Sequence, residues 1–302
     1  MMKPEELRGR FGGVISFPVT PFKKDLSLDL DGLRKNLKAN ARFPFCAVVA
    51  AGGTGELYSL DLGEQRQVVE ETVAAFGGKA PVLAGVGGSL PIALAMAKQA
   101  AAAGADGILA LPPYYPEGPD DGTIAYYKAI ADATPLGMLI YSRDWFKPGP
   151  ELVAKLAEAI PTLVAWKDGQ GDLRRYQMIR QRLGDRLYWI GGAGDDMVPG
   201  YYSIGIRTYT SSIATVAPAL SLALDKAAVA GDSATLLKLM NDYVTPLYAM
   251  RARKKGYEVT AMKVAMDAVG LVGGAVRPPL PSVSPAEVEE LKKMMAGWSA
   301  FL

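Results

Sequence analysis

The sequence predicts an α/β fold, a closed (β/α)8 barrel with a C-terminal helical appendage, and three observations favour it. Eight short strand-like runs recur along the chain at intervals of roughly 20–30 residues. Most of them are separated by helix-like segments with apolar residues at spacings of three and four. After about residue 217 the strand-like runs cease, and only helix-like segments remain.

The eight predicted strands read, in chain order, GVISFPVT (13–20), AVVAAGG (47–53), PVLAGVG (81–87), GILALPP (107–113), GMLIYS (137–142), LVAWKDG (163–169), LYWIGGAG (187–194) and IRTYTSS (206–212). Strands that alternate with helices form right-handed βαβ units and a parallel sheet. Eight such units fit a TIM barrel better than an open sheet. An open nucleotide-binding sheet usually carries a Gly-rich turn after its first strand, and this chain has PVTPF there. We therefore predict a barrel core over 1–216, and the last barrel helix and the helical appendage over 217–302.

Composition excludes several classes of protein. The net charge of +2, with both signs mixed along the chain, gives no reason to expect nucleic acid or an acidic membrane as a partner. One cysteine, Cys46, excludes an internal disulfide framework and is typical of a reducing cytoplasm, where we expect the protein to reside. Apolar tracts are interrupted well before the roughly 20 residues that a membrane span needs.

The chain contains no histidine, and this narrows the chemistry. It removes the Ser-His-Asp and Cys-His routes to a nucleophile. It also removes the commonest transition-metal ligand, which one cysteine cannot replace, so we predict no metal site. Proton transfer must then use Tyr, Lys, Asp, Glu, Ser, Thr or water.

Lys167 ends the sixth predicted strand, and a lysine is seldom buried without a partner. In an apolar pocket its pKa would fall, and the neutral amine could attack a carbonyl to form a Schiff base. The alternative is a structural ion pair with Asp168 or with a carboxylate across the barrel. Tyr141 ends the neighbouring strand, where it could relay protons to Lys167; alternatively it only caps the barrel.

Other candidates follow strands 2, 4 and 7, at the barrel end where active sites form. In GGTGE (52–56), Gly53 and Thr54 could hold a carboxylate through backbone donors, although a plain tight turn is the alternative. Tyr114 and Tyr115 follow two prolines and could present a phenol at the rim or form a subunit contact. In GGAGDD we expect Asp195 to act as a helix N-cap.

Taken in order, several motifs resemble the pyruvate-dependent Schiff-base lyases that include dihydrodipicolinate synthase and N-acetylneuraminate lyase. These motifs are GGTGE, PPYY (112–115), the strand-5 tyrosine, the lysine of WKDG (166–169) and VRPPL (276–280). Within that family, the details are similar to the 5-dehydro-4-deoxyglucarate dehydratases. The turn after strand 2 in dihydrodipicolinate synthase and N-acetylneuraminate lyase usually has two adjacent hydroxyl residues, and here, as in the dehydratases, a glycine, Gly53, takes the place of the first. The segments YSRD (141–144), KDGQGD (167–172) and TYTSS (208–212) also resemble those of the dehydratases. Ser142, where asparagine is usual, and Trp145 depart from its pattern.

The resemblance implies an α-keto acid substrate, no metal and no organic cofactor. It implies a homo-oligomer, commonly a dimer of dimers, in which Tyr115 reaches a neighbouring subunit's site. Lys167, Tyr141, Tyr115 and Ser211 would be catalytic, and Gly53 and Thr54 would bind the carboxylate next to the ketone. The distal part of the substrate would contact Arg143, Ser211 and Ser212, with Ser211 or Tyr141 protonating the leaving hydroxyl.

The implied reaction converts 5-dehydro-4-deoxyglucarate to 2,5-dioxopentanoate with loss of water and CO2. Three alternatives stay open from the sequence. The first is another lyase of the family, such as an aldolase or dehydratase of 2-keto-3-deoxy sugar acids or dihydrodipicolinate synthase itself. The second is a non-catalytic keto-acid sensor. The third, a phosphate-binding barrel isomerase, lacks a phosphate loop after strands 7 and 8.

Overall fold

The computed structural model describes residues 2–114 and 117–302 and contains one closed barrel of eight parallel strands, as predicted. Each strand pairs with its neighbours in chain order, and β1 pairs with β8 to close the barrel. The strands are β1 Gly13–Ser16, β2 Ala47–Ala50, β3 Val82–Val86, β4 Gly107–Ala110, β5 Gly137–Ser142, β6 Leu163–Asp168, β7 Tyr188–Gly191 and β8 Thr208–Ser211. None is longer than its predicted run. Most are shorter, because the Gly and Pro residues at the ends of the runs leave the ladder and enter the loops.

The helices are α1 Pro4–Arg8, α2 Leu30–Asn40, α3 Leu62–Phe76, α4 Leu90–Ala102, α5 Asp120–Asp132, α6 Pro150–Ala159, α7 Leu173–Leu183, α8 Val198–Ser203, α9 Pro218–Ala230, α10 Ser233–Leu239, α11 Thr245–Arg251, α12 Tyr257–Ala268 and α13 Pro285–Ala296. Several begin at side-chain caps that the sequence provides. Asp61 accepts from the amide of Glu64 at 2.7 Å to begin α3, and Asp172 begins α7 in the same way. A π-helical turn, Met240–Val244, connects α10 to α11.

Helix α1 has no counterpart in the prediction, and it covers the N-terminal end of the barrel. Its Leu7 is fully buried between β4 and β5, where those strands begin with Gly107 and Gly137. A Cβ on Gly107 would lie 2.5 Å from Leu7 Cδ2. These glycines therefore leave the space that Leu7 fills.

The C-terminal helices bury a second apolar cluster, separate from the main barrel core. It joins side chains of α9 to α13, such as Leu224, Met262 and Leu291, to Val19 and Ile213 from the barrel. The appendage thus packs close to the loops that carry the site. The proposed boundary at residue 217 stays a prediction. None of the helices described is both long and apolar enough to cross a membrane.

Candidate active site

A pocket opens at the C-terminal end of the strands, where the sequence placed the candidate chemistry. Its lining residues come from the loops of the barrel and from the appendage: Phe17, Gly53, Thr54, Tyr58, Leu111, Tyr114, Tyr141, Arg143, Asp144, Lys167, Gly192, Ala193, Gly194, Thr210, Ser211, Ser212, Arg251, Glu258 and Val259. All the predicted catalytic and substrate-binding residues that the structure describes are among them. Tyr115 lies outside the described residues, so its predicted role stays a prediction.

Lys167 and Tyr141 occupy paired positions on β6 and β5. The lysine is 3% exposed, and its Nζ lies 3.1 Å from the centroid of the Tyr141 ring. The same Nζ donates to the carbonyl of Gly192 at 3.1 Å, and the Phe17 ring lies 5.2 Å away. The amine is therefore enclosed by two aromatic rings and one backbone acceptor.

The environment of Lys167 favours the neutral amine. Burial holds its pKa well below the usual value, and the Arg143 guanidinium lowers it further, against a smaller opposing effect of Asp168. Within the described chain, no carboxylate lies at ion-pair distance from Lys167. The Asp168 carboxylate instead accepts from the amides of Gln170 and Gly171 and from the Tyr201 hydroxyl. This geometry does not support the alternative of a structural ion pair.

Two glycines allow the close approach around this pair. A Cβ on Gly192 would lie 2.5 Å from Lys167 Cγ and 2.8 Å from its Nζ. A Cβ on Gly169 would lie 2.4 Å from Tyr141 Cε2. Neither contact is sterically possible, so both positions require glycine if the lysine and the tyrosine keep these places.

Arg143 lies beside the Tyr141 phenol. Its Nη1 donates to Tyr141 Oη at 3.4 Å, and its Nε pairs with Asp144 at 3.3 Å. Burial raises the pKa of Tyr141, while Arg143 acts in the opposite direction and would stabilise a phenolate. Arg143 therefore contacts the proposed proton relay, whereas the resemblance implied contacts with the distal part of the substrate.

The turn after β2 has free donors. The amides of Gly53 and Thr54 and the Thr54 hydroxyl donate to no protein acceptor among the described residues. Behind them, Thr20 donates to the carbonyl of Gly55 at 2.7 Å, and Glu56 forms a buried ion pair with Lys263 of α12. Contacts with Thr20 and Lys263 thus fix this turn, while Gly53 and Thr54 line the pocket with unoccupied donors that could bind a carboxylate.

Ser211 is fully buried, and its hydroxyl is already engaged. It donates to the carboxylate of Asp195, lies 2.8 Å from Ser221 Oγ, and accepts from the amide of Ala214. The prediction that Asp195 caps a helix is wrong. Its side chain caps no helix and instead accepts from Ser211 and, at 3.1 Å, from the Tyr248 hydroxyl. Burial raises the pKa of Asp195 to about 6.

Among the contributors to the pocket that escaped the sequence analysis, Gly192 and Arg251 bear on the chemistry. The Gly192 carbonyl belongs to GGAGDD, which we interpreted only as a turn. Arg251 ends α11, and its Nη1 donates to Ser212 Oγ at 3.1 Å. At the rim, Trp145 donates to the carbonyl of Pro113 at 3.0 Å and so connects the loops after β4 and β5, while Tyr114 is exposed.

Comparisons with known proteins agree with this geometry. Residues 10–297 match the dihydrodipicolinate synthetase family. The chain belongs to this family. Among its relatives, a probable 5-dehydro-4-deoxyglucarate dehydratase from Bradyrhizobium diazoefficiens is 39% identical over 97% of this chain and 95% of its own length. Another protein of that description, from Ralstonia nicotianae, is 40% identical over 97% and 95%.

Solved structures support the same membership. The crystal structure of dihydrodipicolinate synthase from Oceanobacillus iheyensis has a TM-score of 0.91 and 28% identity, covering 99% of this chain and all of that one. The family, its fold and the names of the relatives support a lyase. The particular reaction and the role of each residue are matters for a proposal.

Proposed function

We propose that the protein dehydrates and decarboxylates 5-dehydro-4-deoxyglucarate through a Schiff base on Lys167. The observation that carries this proposal is the enclosed Lys167 amine, which has no carboxylate partner among the described residues and lies against Tyr141. The relatives named as probable 5-dehydro-4-deoxyglucarate dehydratases support the choice of substrate. No metal or organic cofactor is part of the proposal, since the iminium itself accepts electrons.

In the first half of the reaction, Lys167 forms the covalent bond and Tyr141 transfers the protons. The neutral amine attacks the ketone, and the oxygen leaves as water after protonation by the Tyr141 phenol. The resulting phenolate, stabilised by Arg143, removes a proton from the adjacent CH2, which the iminium has acidified, and an enamine forms. The amides of Gly53 and Thr54 hold the neighbouring carboxylate during these steps.

In the second half, the enamine expels the β-hydroxyl, and Tyr141 returns its proton to that oxygen. Ser211 was the other predicted donor, but its hydroxyl already donates to Asp195, so we favour Tyr141. The conjugated iminium then accepts the electron pair released as the distal carboxylate leaves as CO2. Protonation and hydrolysis give 2,5-dioxopentanoate and free Lys167. Overall, the substrate dianion takes up one proton and yields the product monoanion, CO2 and water.

The test is a product assay with purified protein. Incubation with 5-dehydro-4-deoxyglucarate is expected to release CO2 and 2,5-dioxopentanoate in equal amounts, as measured by headspace analysis and NMR. The Lys167→Ala variant, with unchanged circular dichroism, serves as the control and should be inactive. Pyruvate as a product would instead indicate an aldolase. A six-carbon dehydrated product without CO2 would indicate a simple dehydratase, and turnover by Lys167→Ala would exclude the mechanism.

A further inference from the structure

Arg251 is a cationic residue of the pocket that the proposed mechanism does not use. It is the last residue of α11, and its half-buried side chain extends to the pocket wall. Its guanidinium carbon lies 4.3 Å from the Tyr248 ring centroid, and its Nη1 donates to Ser212 Oγ at 3.1 Å. A basic residue in the last turn of a helix is ordinary, because it complements the helix dipole. That role does not require a guanidinium fixed by stacking and a hydrogen bond at the pocket wall.

Of the two arginines among the described residues that line the pocket, Arg251 is the one that forms no ion pair. Arg143 pairs with Asp144 at 3.3 Å, and burial favours the neutral form of Lys167. Glu258 accepts from the amide of Gly256 at 2.8 Å. None of the ion pairs in the described parts of the chain includes Arg251.

The acids that feel the charge of Arg251 do not occupy its donors. Asp195 and Asp196 feel its charge, but the Asp195 oxygens already accept from Ser211 and Tyr248. A guanidinium has five N–H donors in a planar fork that suits a carboxylate. One of these donors is bound to Ser212, and the remaining donors are enough for a bidentate pair with an incoming carboxylate.

We propose that Arg251, supported by Ser212, binds the distal carboxylate of a six-carbon dicarboxylic keto acid and selects it over keto acids without that group. The inference rests on the proposed function, because the keto end must lie at Lys167. The two pocket arginines then have different roles: Arg143 stabilises the Tyr141 phenolate, and Arg251 binds the distal carboxylate of the substrate. Decarboxylation removes the group that Arg251 binds, so the product leaves more easily than the substrate.

The experiment compares two ligands of equal length. In 2-oxoadipate a carboxylate occupies the position that a methyl group occupies in 2-oxohexanoate. Calorimetric titration measures the dissociation constant of each acid for the wild type and for R251Q, R251K and R253Q. Arg253 is the matched control, since it lies two residues further along and pairs with Glu290 at 2.8 Å, away from the pocket.

The wild type is expected to bind 2-oxoadipate at least about tenfold more tightly than 2-oxohexanoate, as a hydrogen-bonded charge pair allows. R251Q should bring this ratio close to one, R251K should retain part of it, and R253Q should leave it unchanged. Equal affinities in the wild type, an unchanged ratio in R251Q, or no binding of either acid would overturn the inference. Borohydride trapping of the bound acids tests Lys167 separately. A bound acid that gives no adduct on Lys167 therefore counts against the proposed function, whatever the ratio.

Discussion

Replacing Lys263 with methionine is expected to destabilise the protein strongly, because it leaves a buried carboxylate without its partner. Lys263 and Glu56 form an ion pair with side chains 1% and 0% exposed. Lys263 also donates to the carbonyl of Ala275 at 2.7 Å, whereas the Glu56 oxygens have no other partner among the described residues. The pair connects α12 to the turn that carries Thr54, so its loss affects both the appendage and the site.

The magnitude follows from the burial. Breaking a buried pair by removing one partner costs about 3–5 kcal/mol, whereas replacing both partners is often nearly neutral. We therefore expect K263M to lower the free energy of unfolding by about 3–5 kcal/mol at pH 8. The double variant E56Q/K263M should recover at least about 2 kcal/mol of this loss.

The loss should also depend on pH, and its sign can be worked out. Without Lys263, burial raises the pKa of Glu56 in the folded state above its unfolded value, so the folded protein binds the extra proton. The stability of K263M then falls as the pH rises from the unfolded-state pKa of Glu56 to its higher folded-state pKa. K263M should consequently be less impaired at pH 5 than at pH 8, and the double variant should lack this difference.

Equilibrium denaturation in urea at both pH values, for the wild type, both single variants and the double variant, measures these quantities. The reasoning would be refuted if K263M lost less than about 1 kcal/mol, or if the two single effects simply added in the double variant.

Three further predictions concern the site. Tyr141→Phe should still form a borohydride adduct with a keto acid but turn over about 10²–10⁴-fold more slowly; an unchanged rate would remove Tyr141 from the mechanism. Lys167→Met should raise the melting temperature at pH 7, because burial depresses the pKa of this lysine and folding must therefore release the proton that it carries in the unfolded chain; a lower melting temperature would contradict this. Ionisation of Asp195, whose pKa is about 6 in the folded state against 3.8 as its ordinary value, costs up to about 3 kcal/mol as the pH rises through this interval. Asp195→Asn should therefore gain stability relative to the wild type between pH 4 and pH 7, and a pH-independent difference in urea denaturation would argue against it.

Most strands were predictable because they are buried on both sides and so appear as short apolar runs, although β8 is largely polar. Helix α1 was not predictable, because five residues are too few to show a helical period. The burial of its Leu7 depends on the space that glycines on β4 and β5 leave. The strand ends were harder to place, because Pro and Gly residues such as those of GILALPP extend the apolar pattern into the loops.

Lys167 and Tyr141 could be inferred from the sequence because they end adjacent strands, and a barrel brings adjacent strand ends together. Arg251 could not, since it ends an ordinary amphipathic helix of the appendage and only tertiary packing brings it to the pocket. For Asp195, the local pattern of an acid at a helix start suggested a cap. Its contacts with Ser211 and Tyr248, from β8 and α11, determine its role instead.

The most direct test of the account is borohydride reduction of the protein during incubation with 5-dehydro-4-deoxyglucarate, followed by intact-mass measurement and peptide mapping. The account predicts a covalent adduct on Lys167 whose mass reflects the loss of water and CO2 from the bound substrate. An adduct of pyruvate mass would instead indicate aldol cleavage. The absence of any adduct on Lys167 with this or any other keto acid would contradict the central claim.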